Sequence, residues 1–233
     1  MLTTLCFDAD DTLWHNERFF QMTQAHFATL LVDYAGHDHL ADRLLAAEKR
    51  NLGRYGFGIK GFVLSMIETA LDVTENQVPG HVIADIIAAG HDMLAHPIDL
   101  LPGVADTIAE LAPNYRLILI TKGDLLDQER KIAQSGLGDL FDGIEIVSDK
   151  TRAAYAEIFS RHETRPSDTL MAGNSMKSDV LPALDAGAWG IYIPHGISWE
   201  IEAAEPPQGH PKYHEAAQFA DLPKIIAGIN HSI

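Results

Sequence analysis

The sequence predicts an α/β protein: a Rossmann-like parallel sheet core with an inserted all-helical cap domain. Short apolar runs alternate with helical patterns over most of the chain, which is typical of parallel strands joined by right-handed crossovers. The interval from about residue 15 to 98 shows helical periodicity but no convincing strand, and it is too long for a plain crossover. We therefore predict a core formed by residues 1–14 and 99–233 and a helical cap at 15–98.

Five apolar runs have the length and content of buried strands. They are Leu2–Phe7, Tyr115–Thr121, Gly143–Val147, Thr169–Gly173 and Trp189–Pro194. Between the later runs, apolar residues keep helical spacing, as at Val104, Ile108 and Leu111. The proline-containing segment 202–214 predicts an irregular surface loop, and a last short helix is expected near 221–229.

The inserted interval contains four helical stretches, near residues 17–34, 38–52, 59–73 and 80–95. Apolar stripes run along them: Phe20, Phe27 and Leu31 form one, and Phe62 and Met66 belong to another. We interpret these stripes as packing faces rather than as binding sites.

Composition limits the possible partners and environments. The chain has 233 residues and is 46% hydrophobic, which suffices for a large domain or for a core domain with a smaller one. A formal net charge of −16 argues against nucleic acid and against an anionic membrane face. The single cysteine, Cys6, excludes an internal disulfide, and neither a signal peptide nor a membrane span is recognisable. We expect a soluble, cytoplasmic protein; its oligomeric state cannot be predicted.

Polar side chains cluster at the carboxyl ends of four predicted strands, the edge where open α/β sheets bind ligands. The clusters are Asp8, Asp10, Asp11 and Thr12; Thr121, Lys122, Gly123 and Asp124; Asp149 and Lys150; and Asn174, Ser175, Lys177 and Asp179. Crowded carboxylates tolerate one another when a divalent cation lies between them, and a small set of oxygen ligands suits Mg²⁺. A hydroxyl and a lysine can bind phosphoryl oxygens, and an aspartate can attack phosphorus.

The stretch FDADDT, residues 7–12, resembles the first motif of the haloacid dehalogenase (HAD) superfamily, DxDxT after an apolar strand. LILIT, which ends at Thr121, resembles the second motif, and Lys150 resembles the third. GNSMKSD, residues 173–179, resembles the fourth. The helical block then corresponds to a C1-type cap, which is inserted between the first and second motifs.

The resemblance implies a role for each matching residue. Asp8 would be the nucleophile, and Asp10 would protonate the leaving oxygen and then deprotonate the attacking water. Thr121 and Lys150 would bind the phosphoryl group. Mg²⁺ would lie between Asp8, the Asp10 carbonyl and the fourth motif, with Asn174 and Asp179 as its candidate ligands. Asp10 also favours phosphoryl transfer over dehalogenation, because the dehalogenases lack an aspartate at that position.

Two positions depart from the family pattern. Asn174 stands where the family usually has aspartate, which removes one negative charge and predicts weaker Mg²⁺ binding. Thr151 follows Lys150 where the family often has proline, so Lys122 and Lys177 remain alternatives for the phosphate-binding lysine.

Two pairs of residues, one in the cap and one beyond the fifth strand, each allow a functional and a purely structural interpretation. In RYGFGIKGF, residues 54–62, Arg54 and Lys60 either contact the substrate's leaving group or are solvated cations of an interhelical turn. His195 and Trp199 follow the fifth strand and either border the site or pack the final loop.

The expected function is that of a Mg²⁺-dependent phosphatase, an enzyme that hydrolyses a small phosphorylated metabolite through an aspartyl-phosphate. A phosphomutase on the same scaffold is the nearest alternative. The others are a HAD-like phosphate-binding protein with weak or no turnover and a phospho-receiver domain. The sequence does not identify the substrate.

Overall fold

A computed structural model describes residues 1–197 and 199–232; Ser198 and Ile233, which fall inside the predicted core range, lie outside the described residues. The chain divides into two compact units. The α/β unit comprises Met1–His15, Ile98–Lys122 and Gln128–Ile233, and the helical unit comprises Asn16–Pro97 and Gly123–Asp127. This division differs from the predicted one by a single residue at each end of the insert and by the segment Gly123–Asp127, which the sequence had placed in the core.

The α/β unit is built on a parallel sheet with the strand order β3-β2-β1-β4-β5-β6. The strands are β1 (Thr4–Phe7), β2 (Arg116–Lys122), β3 (Gly143–Val147), β4 (Thr169–Gly173), β5 (Trp189–Tyr192) and β6 (Tyr213–Glu215). Strand β1 pairs with β2 on one side and with β4 on the other. The chain therefore reverses its winding direction between β1 and β4, and this switch point is where such sheets bind ligands.

Helices connect the strands and fill the insert. They are α1 (Glu17–Leu30), α2 (His37–Tyr55), α3 (Ile59–Val73), α4 (Gly80–Ala95), α5 (Val104–Leu111), α6 (Leu125–Ser135), α7 (Arg152–Arg161), α8 (Leu181–Asp185) and α9 (Leu222–Ser232). The parallel sheet with its helices confirms the predicted fold class.

Successive side chains of the central strands point to opposite faces of the sheet, and both faces are buried. On one face, Leu5 and Phe7 join an apolar cluster that includes Ile108 of α5 and Ile226 of α9. On the other face, Cys6 packs in a separate cluster with residues of α7. All four residues of β1 are buried, which explains why this strand reads as a continuous apolar run.

The structure corrects one part of the predicted element order. Strand β6 lies within and just beyond the segment predicted to be an irregular loop, and it pairs in parallel with β5. Its three residues are too few to produce a periodic apolar signal, and Pro211 precedes them closely. The final helix, α9, begins at Leu222 and runs to Ser232, three residues beyond the predicted end.

The helical unit has an apolar core of its own. Phe27, Leu31, Phe62 and Met66 are buried in it, so the predicted stripes are packing faces. Helices α3 and α4 approach closely at Gly90, where an added Cβ atom would lie 2.5 Å from a methyl carbon of Val63. Within the part of the chain that the structure describes, no helix has both the length and the apolar character needed to cross a bilayer.

Candidate active site

The turn after β1 presents the first predicted motif at the switch point of the sheet. Asp8 extends the parallel ladder, because its backbone nitrogen donates to the carbonyl of Ala172 at 3.0 Å. The chain then turns tightly: Leu13 donates to the Ala9 carbonyl at 2.8 Å, and Asp11 has a φ of 60°. Asp11 therefore adopts the left-handed conformation within this turn.

Lys150 lies between two buried carboxylates. Its Nζ atom donates to Asp8 Oδ1 at 2.5 Å and to Asp179 Oδ1 at 2.7 Å. The second oxygen of Asp179 accepts the backbone N–H of Ser175 at 2.8 Å. A Cβ atom at Gly173 would lie 2.3 Å from that same oxygen, so glycine is required for Asp179 to take this position.

In the charged triad of Asp8, Lys150 and Asp179, burial and the opposite charge of a neighbouring group shift the pKa values of Lys150 and Asp179 in opposite directions. Burial lowers the pKa of Lys150, but the charges of Asp179 and Asp8 outweigh it and raise that pKa above its usual value. Burial and the Asp8 charge raise the pKa of Asp179, and Lys150 only partly offsets them. The lysine is therefore held as a cation, which lets two carboxylates lie close together.

The three lysines considered for phosphate binding have different partners. Lys150 contacts Asp8, whereas Lys177 donates to the carbonyl of Ile201 at 2.8 Å. Lys122 donates to Ser178 at 2.7 Å and to Glu202 at 2.5 Å. Thr151, which stands where the family often has proline, caps α7 by accepting the N–H of Ala154 at 3.2 Å. The departure at Thr151 is thus a change of helix cap, and it leaves Lys150 in place.

The Asn174 side chain, which follows β4, lies against the turn after β1. Its amide fits its surroundings when the nitrogen faces Asp8 Oδ2, the Asp10 carbonyl and Thr12 Oγ1, each at 3.1 Å. Thr12 also donates to Asp8 Oδ2 at 2.9 Å. The Asp8 carboxylate, the Asp10 carbonyl and the Asn174 amide therefore surround one small space. Turned about its last bond, the amide offers this space an oxygen, and the resulting all-oxygen donor set fits Mg²⁺.

The carboxylate of Asp10 is held by three side chains. Lys131 contacts both of its oxygens at 2.7 Å, Gln128 donates to Oδ2 at 2.8 Å, and Trp14 donates to Oδ1 at 2.7 Å. Burial raises the pKa of Asp10, but these three donors together lower it below the usual value. Sequence reasoning missed Gln128 and Lys131. The sequence shows only two polar residues three apart on α6, and their burial becomes apparent only in the fold.

The hydroxyl of Thr121 is buried and has no hydrogen-bond partner among the described residues. The residue lies near the carboxyl end of β2 and is 1% exposed. A buried hydroxyl without a partner is costly, and such atoms commonly pair with a ligand or water.

Glu202 anchors the fourth motif from the loop after β5. Its carboxylate accepts from Ser175 at 2.7 Å, from Ser178 at 2.5 Å and from Lys122 at 2.5 Å. Burial raises the pKa of Glu202. Lys122 and the two serines lower this pKa by more than burial raises it, so the net shift is downward. Sequence reasoning missed Glu202 because it lies in a segment without periodicity. Lys122, a candidate substrate contact, forms hydrogen bonds with Ser178 and Glu202.

The two cap candidates belong to the helical unit. Lys60 forms an ion pair with Asp124, its Nζ lying 3.0 Å from both carboxylate oxygens. Arg54 is exposed near the carboxyl end of α2. A role in substrate binding stays a prediction for both residues.

Comparison with known proteins identifies the family of this chain. The family model of haloacid dehalogenase-like hydrolases matches residues 2–187. The chain belongs to this family. It is thus a hydrolase with a HAD-type core and a helical cap, which confirms the predicted family and enzyme class and excludes the phospho-receiver alternative.

Individual relatives agree with the assignment. The chain is 26% identical over 204 residues to a glyceraldehyde 3-phosphate phosphatase of Methanothermobacter thermautotrophicus, covering 83% of this chain and 86% of that protein. It is 22% identical over 236 residues to the protein of the same name from Pyrococcus furiosus, covering 97% and 92%. A haloacid dehalogenase-like family hydrolase from Xanthomonas campestris superposes with a TM-score of 0.90 at 38% identity, covering 99% of this chain and 93% of that one.

Proposed function

We propose that this hydrolase is a Mg²⁺-dependent phosphatase that acts on a small phosphomonoester through an aspartyl-phosphate at Asp8. The observation that carries the proposal is the unpaired, buried hydroxyl of Thr121 near the carboxyl end of β2, the strand that pairs with β1, together with the charged triad that Lys150 and Asp179 form with Asp8, the residue after β1 at the switch point. The curated relatives are named as phosphatases of small phosphorylated compounds, which supports the same reaction class.

Thr121 and Lys150 bind the phosphoryl group in this proposal. Thr121 donates its hydroxyl hydrogen to a phosphoryl oxygen, which removes the cost of a buried unpaired group. Lys150 provides a fixed positive charge next to Asp8, so that the anionic substrate is not repelled by the carboxylate that attacks it.

The first half of the reaction transfers the phosphoryl group to the enzyme. One carboxylate oxygen of Asp8 forms a bond to phosphorus while the bond from phosphorus to the leaving oxygen breaks. The leaving oxygen takes a proton from Asp10 where it needs one. Because Lys131 favours the ionised form of Asp10, aryl phosphates, whose leaving oxygen needs little protonation, should react faster than alkyl phosphates.

The second half returns the enzyme to its starting state. Asp10 accepts a proton from water, and the hydroxide oxygen bonds to phosphorus as the bond to Asp8 breaks. The ionised Asp10 that Lys131, Gln128 and Trp14 hold is suited to this role as a base.

The metal proposal rests on the donor set. Asp8, the Asp10 carbonyl and Asn174 would hold Mg²⁺, and when bound it would supply positive charge for the phosphoryl oxygens. Asp179, whose two oxygens contact Lys150 and Ser175, would act by placing the lysine rather than as a direct ligand. Asn174 gives one negative charge fewer than aspartate, so we expect weak metal binding.

The proposed substrate is a small phosphorylated metabolite. The relative rates of hydrolysis of different substrates test whether the cap residue Arg54 contacts the leaving group. Arg54→Ala should change the relative rates among substrates while hydrolysis of a small aryl phosphate stays intact. An unchanged substrate profile would show that Arg54 is a solvated surface residue.

A phosphomonoester panel tests the proposal directly. It includes glyceraldehyde 3-phosphate, phosphoglycolate, sugar phosphates and nucleoside monophosphates, with Mg²⁺ and with a chelator. We expect phosphate release that requires Mg²⁺ and that is abolished in Asp8→Asn. No release from any ester would refute the function, activity in Asp8→Asn would refute the mechanism, and transfer of phosphate to a second sugar instead of water would identify a mutase.

A further inference from the structure

Asp11, His15 and His195 form a cluster that the phosphatase mechanism does not use. Each offers one metal-ligating atom, and these atoms all lie within 4.8 Å of one another. Asp11 is buried and the two histidines are half-buried. All three belong to the α/β unit: Asp11 and His15 come from the turn after β1, and His195 comes from the loop after β5.

The separation of the facing atoms of Asp11 and His195 is compatible with an ion between them. His195 Nε2 lies 3.7 Å from Asp11 Oδ1, which is too long for a hydrogen bond. Tetrahedral coordination of zinc at 2.0–2.1 Å sets neighbouring ligand atoms about 3.4 Å apart. The two imidazole rings pack edge to face, with centroids 5.8 Å apart and planes inclined at 64°.

The tautomer of His195 fits metal binding. Its Nδ1 lies 2.9 Å from the carbonyl oxygen of Ile197, so this nitrogen carries the hydrogen and donates it. The lone pair is then on Nε2, the atom that faces Asp11. Histidines that bind metals commonly donate their other ring N–H to a carbonyl in this way, which fixes the ring.

The backbone around the cluster is also held. Asp11 donates its N–H to the Trp14 carbonyl at 2.8 Å, and His15 donates its own to the Asp99 carbonyl at 3.0 Å. The backbone that carries Asp11 and His15 is therefore held by main-chain hydrogen bonds that do not depend on an ion. A site of this kind loses little freedom when it binds.

We propose that Asp11, His15 and His195 form a second metal site, which takes Zn²⁺ or a similar late transition ion with water as a further ligand. Two imidazoles and one carboxylate favour such ions, whereas Mg²⁺ prefers oxygen ligands alone. The site is separate from the oxygen set of Asp8, the Asp10 carbonyl and Asn174. A bound ion joins the loop after β1 to the loop after β5.

Zinc titration of the full chain in excess Mg²⁺ tests this site, because Mg²⁺ occupies the oxygen set without competing for imidazoles. We expect about one equivalent of Zn²⁺ by calorimetry, and Co²⁺ in its place should show the intense visible absorption of four-coordinate cobalt. His195→Gln and Asp11→Asn should each weaken Zn²⁺ binding at least tenfold, since loss of even an outer contact costs 10–100-fold. His81→Gln, at an exposed histidine of the helical unit, is the control and should bind as the parent does.

Circular dichroism and a melting curve establish that each variant is folded, and Asp11→Asn and His195→Gln give two independent chances of a folded test protein. Absence of zinc binding by the parent chain would overturn the proposal. So would unchanged binding in both variants, or a cobalt spectrum of the weak, six-coordinate type.

Discussion

Lys150 holds two buried carboxylates together, so replacing it with methionine tests the charge arrangement of the site. Lys150 and Asp179 have side chains that are 1% exposed, and that of Asp8 is 9% exposed. Methionine keeps most of the side-chain volume but removes the cation. Breaking a buried ion pair on one side typically costs ~3–5 kcal/mol, because the remaining charge is left without a partner.

We expect Lys150→Met to lower the free energy of unfolding of the metal-free protein by about 3–5 kcal/mol. For a chain of this size, that corresponds to a fall in melting temperature of roughly 6–20 °C. Denaturant unfolding in the presence of a chelator measures the loss. Lys224→Met, at an exposed lysine of α9, is the matched control and should change the stability by less than about 0.5 kcal/mol.

The loss should depend on pH with a definite sign. The pKa of Asp179 is raised from its ordinary value to about 7, chiefly by burial and the charge of Asp8. A raised folded-state pKa means that stability is present at low pH and is lost as the pH rises from about 4 to about 7. Without Lys150 this pKa rises further, so the deficit of the variant should be smaller at pH 4 than at pH 8.

A second substitution separates charge from packing. Lys150→Met combined with Asp179→Asn removes one of the two buried charges while keeping an oxygen for the Ser175 N–H. The double variant should recover about 2 kcal/mol of the loss. The reasoning is refuted if Lys150→Met is within about 1 kcal/mol of the parent, or if the double variant is no more stable than the single one.

Three further results are expected. Lys131→Met should destabilise the metal-free protein by about 2 kcal/mol above pH 5, less than for a fully buried pair because the Asp10 side chain is 22% exposed. The lowered pKa of Asp10 gives the parent stability that is fully present above the ordinary value of 3.8 and is lost as the pH falls through the lowered, folded-state pKa, so the difference between parent and variant should shrink as the pH falls below 3.8, and a difference that does not change with pH would contradict the assignment. Asn174→Asp should lower the Mg²⁺ concentration needed for half-maximal activity, measured by metal titration, because it restores a charged oxygen; an unchanged requirement would argue against Asn174 as a ligand. Burial raises the pKa of the Cys6 thiol, so a thiol reagent should label the native chain slowly and the denatured chain at once, whereas rapid native labelling would contradict the buried position.

The sequence was most informative where one physical requirement dominates. The strands β1, β2 and β4 are buried on both faces, so they appear as apolar runs whose ends could be placed within about two residues. The carboxyl ends of β1, β3 and β4 lie at one edge of the parallel sheet, which allowed Asp8, Lys150 and Asn174 to be grouped although they are far apart in the chain.

The residues that were missed depend on contacts that local patterns do not encode. Gln128 and Lys131 look like ordinary polar residues of a surface helix, and only the fold brings them to Asp10. Glu202 lies in an aperiodic loop, and its link to Lys122 spans 80 residues. Strand β6 has three residues and gains its identity from pairing with β5. In each case the determining partner is distant in sequence.

The central claim is that Asp8 carries the phosphoryl group, and trapping that bond tests it most directly. The enzyme is mixed with Mg²⁺ and a phosphate ester that it hydrolyses, and the reaction is quenched during turnover. The protein is then treated with borohydride, which reduces an aspartyl-phosphate to homoserine. Peptide mass analysis should then find homoserine at position 8, and none when substrate is omitted. Homoserine at another aspartate, or steady turnover with no reduced residue anywhere, would contradict the account.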